Sequence, residues 1–96
     1  MDVLVTYDVT TETADGRRRL RKVADACLAF GQRVQQSVFE CSLTEMQLEA
    51  LRHRLLACID EREDSLRIYR LPQPRERYLW TYGVRHEIDM NGPLIV

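Results

Sequence analysis

The first 28 residues change their hydrophobic period in a way that few folds accommodate. Residues 2–9 alternate, with Val3, Val5, Tyr7 and Val9 on one side and Leu4, Thr6 and Asp8 on the other, and β-branched residues dominate. That pattern predicts a strand with two mostly apolar faces. After a polar turn, Thr10 to Gly16, the residues Leu20, Val23, Ala24, Cys27 and Leu28 recur at i, i+3, i+4, i+7 and i+8. This spacing lays one apolar stripe of a helix against a sheet. Gly31 then reads as a helix stop.

The same alternation of periods repeats once. Arg33 to Leu43 (RVQQSVFECSL) reads as extended, with a bend or bulge near Gln36, and both one bent strand and a tight hairpin are compatible with it. Thr44 with Gln47 three residues on is a capping box, opening a helix whose buried stripe is Leu48, Leu51, Leu55 and Ile59. An acidic turn, Asp60 to Asp64, closes it. Ser65 to Leu71 is a third extended run stopped by Pro72 and Pro74, Tyr78 to Val84 a fourth, and Pro93 to Val96 a short terminal strand after Asn91 and Gly92. The order is that of an α+β, ferredoxin-like split βαβ sandwich: an antiparallel sheet with two helices on one face. Its other face is left uncovered, and a second protomer related by a two-fold axis is the simplest cover, giving a homodimer.

Ninety-six residues suit one domain, here expected to span residues 1–96. With 45% hydrophobic and 30% charged residues the composition is globular. No apolar run approaches the roughly 20 residues of a bilayer span. The start, MDVLVTYDV, lacks the basic stretch and cleavage site of a secretory signal, so no membrane association and a cytoplasmic location are expected. Cys27, Cys41 and Cys58 form no CxxC pair and read as small buried apolar residues. A net charge of -1 excludes a uniformly basic binder, yet residues 16–33 carry Arg17, Arg18, Arg19, Arg21, Lys22 and Arg33 against Asp25 alone. Arginine favours bidentate phosphate contacts.

Candidate chemistry is sparse. No serine–histidine–carboxylate set, glycine-rich phosphate loop or HExxH helix is present in the sequence. Asp8 stands out because it lies among apolar residues at the end of the first strand, where a carboxylate is disfavoured unless something ligates it. One carboxylate holds a divalent cation weakly, but a two-fold axis near the strand end brings two copies together, and Mg²⁺ is typically held by one or two carboxylates plus waters and phosphates. Asp after a strand also opens turns, and that reading stays open. Arg17, Arg18, Arg19 and Arg21 near a helix start suit phosphates or a solvated face; four cations there oppose the helix dipole, which an anionic partner relieves. Tyr7 and Phe39 suit base stacking or a strand core. Ser37, His53 and His86 carry weaker signals, and Trp80 reads as strand packing.

Five segments, VTYDV at 5–9, RRRLRKVA at 17–24, RVQQSVFEC at 33–41, DSLRIYRL at 64–71 and NGPLIV at 91–96, together and in this order resemble a known family. It is the second of the two universal CRISPR-associated adaptation proteins, the small partner of the spacer integrase, also described as a CRISPR-associated endoribonuclease family. The resemblance implies a ferredoxin-like homodimer in which a C-terminal strand, about residues 91–96, adds to the partner protomer's sheet. It implies that Asp8 faces its symmetry mate and takes Mg²⁺ or Mn²⁺, as the catalytic and metal-binding residue of a nuclease acting on single-stranded RNA or duplex DNA. Arg17 and Arg19 fit the family's basic pair, and Arg33, Ser37 and Phe39 its second-strand block, which implies that they are nucleic-acid contacts or active-site neighbours; Arg18 and Tyr7 join them as nucleic-acid candidates on their residue types and positions alone. Residues 72–87 match the family least, and nothing there is carried over. A second implied role needs no hydrolysis: the dimer bridges integrase dimers and lays basic flanks along the duplex to be inserted. A third class, a small-ligand sensor, is compatible with the fold alone.

Overall fold

The structure, a computed structural model, describes residues 1–84. Strand β1 (Asp2–Asp8) is followed by helix α1 (Ala14–Leu28), strands β2 (Gly31–Gln35) and β3 (Val38–Ser42), helix α2 (Glu45–Cys58), strand β4 (Ser65–Leu71) and a 3₁₀ turn at Arg75–Arg77. The sheet order is β2-β3-β1-β4, antiparallel throughout. This is the expected ferredoxin-like α+β architecture.

β1 is central because its odd face is apolar enough to be buried and both of its edges are paired. Val3, Val5, Tyr7 and Val9 point into the core with Phe39 and Cys41 from β3, and α1 and α2 cover them with Val23, Ala26, Cys27, Leu48, Leu51 and Leu55. The even positions face the other way, and among them Leu4 and Thr6 are only half-buried and Asp8 is exposed.

Both helices start as local chemistry dictates. Thr13 caps α1, its Oγ1 accepting the Gly16 N–H at 3.0 Å. At α2 the capping box is complete: Thr44 Oγ1 accepts the Gln47 N–H at 3.2 Å, and Gln47 Oε1 accepts the Thr44 N–H at 2.9 Å. α1 starts within the stretch read as a turn, and Gly16 belongs to its first turn. A Cβ there would collide with the Thr10 carbonyl, so glycine permits the loop to lie against the helix.

Three local expectations are corrected or resolved. Gly31 is no left-handed helix stop: α1 ends at Ala29 in a right-handed conformation, and Gly31 opens β2, where a Cβ would strike the Glu40 carbonyl and the Cys41 sulfur. Residues 33–43 form a hairpin turning at Gln36–Ser37, with the register irregular between Arg33 and Gln35. Tyr78 to Val84 is not a strand. Beyond β4 the chain crosses the open face, pinned there by Tyr78 Oη donating to Asp2 Oδ2 (2.9 Å) and by Arg75 between Asp2 and Glu40 (3.6 and 3.9 Å). It therefore runs over a face, where no ladder partner exists, and leaves Trp80, Tyr82 and Val84 exposed. The expected strand at 91–96 and His86 lie outside the described residues. No helix among those residues is long and apolar enough to cross a membrane.

Leu51 is fully buried where α2 meets the sheet, whereas Leu56 on the same helix is exposed. Leu51→Ala is expected to cost about 2–5 kcal/mol in urea unfolding, and Leu56→Ala within about 0.5 kcal/mol. Equal effects would contradict this packing.

Candidate functional site

Asp8 ends β1, opposite Ser65 of β4, on the face turned away from the helices. On its other side is the β2–β3 hairpin tip, since the Tyr7 N–H donates to the Ser37 carbonyl at 3.1 Å. The next residue, Val9, is buried and stops the strand end from drifting outward. Asp8 is exposed and takes part in none of the ion pairs among the described residues. Its oxygens thus face solvent beside two short polar turns. Among the described residues no group of three or more His, Cys, Asp or Glu side chains is placed to hold a metal ion. One open carboxylate per chain fits a weakly held, largely hydrated Mg²⁺ or Mn²⁺, or one shared between two copies, and does not fit a self-contained metal cage.

Tyr7, Phe39 and Arg33 lie behind this edge, on the helix side. Phe39 is fully buried and Tyr7 nearly so, their rings stacked at 6.1 Å between centroids. Neither ring can receive a base as the chain is folded, so of the two roles open to them in the sequence, base stacking and strand core, both rings take the core role. Tyr7 Oη reaches the Gln36 carbonyl (3.4 Å), and with the Ser37 bond this holds the hairpin tip from two sides. The Arg33 guanidinium carbon lies 5.1 Å from the Phe39 ring centre, and its buried Nε has no hydrogen-bond partner. Burial, with Cys27 second, raises the Tyr7 hydroxyl above its ordinary value. Burial likewise pushes the Cys27 thiol up to about 12 and that of Cys41 to about 11, so both are inert packing groups.

The arginine run of α1 divides. Arg17 is exposed, its Nη1 donating to the Thr11 carbonyl at 3.2 Å, and Arg18 is exposed in a pair with Asp15 at 3.0 Å. Arg21 and Lys22 also face solvent. Arg19 does not. Its side chain is 17% exposed, and its Nε donates to Asp64 Oδ2 at 2.8 Å while Nη2 reaches Glu63 at 3.2 Å. The sequence grouped Arg19 with the phosphate-binding cations; the ion pair removes it, because releasing the guanidinium would strand a carboxylate that is 0% exposed.

Two residues escaped sequence reading, Asp64 and Asp2. Asp64 is buried and accepts from Thr10 N–H (3.2 Å), Asp60 N–H (2.9 Å) and Arg19. Burial by itself would raise its carboxyl, but the Arg19 hydrogen bond and the two backbone amides prevail and hold it below the ordinary carboxylate range. Asp2, equally buried, anchors Tyr78 at the far end of the open face. In sequence each is one acid at a strand edge, and only its distant partner marks it.

Residues 1–77 match the family model described as "CRISPR associated protein Cas2". The chain is 60% identical, over the full length of both, to a Moorella thermoacetica protein named "CRISPR-associated endoribonuclease Cas2 1". It is 50% identical to the "CRISPR-associated endonuclease Cas2" of Halalkalibacterium halodurans, over 99% of each chain. Among solved structures it is similar to Streptococcus pyogenes Cas2 crystallised at pH 6.5, with a TM-score of 0.76 and 54% identity, covering 86% of this chain and 100% of that one.

Because the Asp64 carboxyl is held below the ordinary carboxylate range in the folded state, its contribution to stability is fully present above that range and is lost as pH falls through the lowered folded-state value. Wild type is therefore expected to exceed Asp64→Asn in urea midpoint by a constant margin near neutral pH, and the margin should close on acidification. A margin unchanged at low pH would contradict the ion pair.

Proposed function

The chain belongs to the CRISPR-associated Cas2 family, and from that premise we propose that it acts in CRISPR adaptation as a homodimeric, metal-assisted phosphodiesterase on RNA or DNA. The observation that carries this reading is the exposed Asp8 on the sheet face turned away from the helices, which the chain after β4 crosses at Asp2 and Glu40, beside half-buried Leu4 and Thr6 and exposed Tyr69. A second copy covering those residues places the two Asp8 carboxylates near a common axis, where a charge unsuited to an apolar interface gains a purpose.

In this reading the paired Asp8 carboxylates hold Mg²⁺ or Mn²⁺. A bound ion would supply Lewis-acid polarisation of a phosphoryl oxygen and would lower the pKa of water at the site, making hydroxide available as nucleophile. The chain supplies the rest. Arg17, Arg18, Arg21 and Lys22 take backbone phosphates on α1, and the arginines can do so bidentately. Val9 and the Ser37 turn fix the strand end, while Tyr7, Phe39 and Arg33 stiffen the hairpin tip from behind. None of these groups reads a base edge, so recognition is sequence-independent and falls with salt. The relatives named endoribonuclease and endonuclease support cleavage of phosphodiesters.

A specific observation keeps a second reading in play. Among the described residues no cluster of possible ligands surrounds Asp8, which is sparse for metal-assisted hydrolysis, and a dimer that bridges the spacer integrase and binds duplex DNA needs only the α1 cations and a fixed width. The two readings separate on Asp8. In the first, end-labelled single-stranded RNA or duplex DNA is cut in Mg²⁺ or Mn²⁺ but not in EDTA, and Asp8→Ala abolishes cutting while remaining a dimer. In the second, wild type and Asp8→Ala are equally inactive, and both bind duplex DNA.

Binding itself tests the divided arginine run. Arg17→Ala and Arg18→Ala are each expected to lower the slope of log affinity against log salt by about 1. Arg19→Ala should instead lower the melting temperature and leave that slope unchanged once the protein is folded. Equal slope changes for all three would contradict the division.

A further inference from the structure

Resting on the reading of Asp8 as metal ligand, we infer that Asp64 is a positioning residue for Asp8, fixing the end of β1 through Thr10 and through Arg19 of α1. Asp8 is paired with Ser65, and Asp64 immediately precedes Ser65. Two residues beyond Asp8, the Thr10 N–H donates to Asp64 Oδ1 (3.2 Å) and Thr10 Oγ1 to the Glu63 carbonyl (2.8 Å). The chain leaving Asp8 is thus stitched to the chain entering Ser65, which closes the strand end around that pair.

Asp64 also fixes this corner against the helix layer. Its Oδ2 accepts from Asp60 N–H (2.9 Å) and Arg19 Nε (2.8 Å), and Arg19 Nη2 lies 3.3 Å from Oδ1. A carboxylate has about four acceptor sites, and these donors fill them. Gly16 completes the seat by admitting the Thr10 carbonyl against α1. Fully buried and saturated, Asp64 can touch neither substrate nor metal, so any effect on catalysis passes through the backbone of Asp8. A site shared by two carboxylates needs each placed within about 0.5 Å, which a frayed strand end cannot provide.

The test uses the whole chain and four variants: Asp64→Asn, the milder Arg19→Lys, Asp8→Asn, and Leu55→Ala, whose fully buried side chain takes no part in the Asp64 hydrogen bonds and serves as a control for simple destabilisation. At a temperature where all are folded, Mn²⁺ affinity is titrated with metal alone, cleavage is resolved into kcat and KM, and backbone amide shifts of Asp8 and Ser65 are recorded by NMR. Asp64→Asn is expected to move the Asp8 and Ser65 shifts, weaken Mn²⁺ by about 10–100-fold, and lower kcat with KM nearly unchanged. Arg19→Lys should follow in the same direction by less, and Leu55→Ala should change none of these beyond its melting temperature. If Asp64→Asn and Arg19→Lys behave as Leu55→Ala does, the inference is overturned and Asp64 only stabilises the fold. If Asp8→Asn leaves Mn²⁺ affinity untouched, the reading of Asp8 fails and takes the inference with it, a result recognisable by that variant alone.

Discussion

The period of two along β1 is the constraint on which the rest of this structure depends. Because successive side chains alternate strictly, sending Val3, Val5, Tyr7 and Val9 beneath the helices commits Asp8 to the open face. A slip by one residue would bury Asp8 and expose four apolar side chains, so register is heavily specified. Pairing along both edges then assembles the surroundings: β3 brings the Ser37 turn to one side and β4 brings Ser65 and Asp64 to the other. The candidate site is a by-product of how the core is patterned.

Charge at the start of α1 poses an opposite problem. Arginines in the first turns oppose the helix dipole, and the fold answers each one separately. Asp15 takes Arg18, the Thr11 carbonyl takes Arg17, and a carboxylate 45 residues further along takes Arg19. Only the last is sheltered from water, and exposed pairs such as Arg18 with Asp15 contribute little to stability. The result is a mixed surface in which Arg17 and Arg18 remain able to exchange their weak partners for phosphate, with Arg21 and Lys22 exposed beside them.

How far the sequence could be read follows from the range of the interactions involved. β1, the Thr44–Gln47 capping box and the α2 stripe are legible because they rest on neighbours within a turn or on strict alternation. The fate of Arg19 is not, since its partner lies 45 residues away and any of several acids in the Asp60–Asp64 turn could have served. Tyr78–Val84 has strand-forming residues, and tertiary geometry overrides them: Tyr78 finds Asp2 across the open face, and residues 78–84 join no strand ladder among the described residues. Gly31 and Gly16 show the same limit, each required by a close approach from another segment that local sequence does not reveal.

The central claim, that Asp8 is made for a site shared by two chains, is tested most directly by the stoichiometry of bound Mn²⁺ in native mass spectrometry of the purified dimer. A shared site predicts one ion per two chains, lost in Asp8→Asn with the dimer intact. One ion per chain, or binding that survives Asp8→Asn, would contradict it.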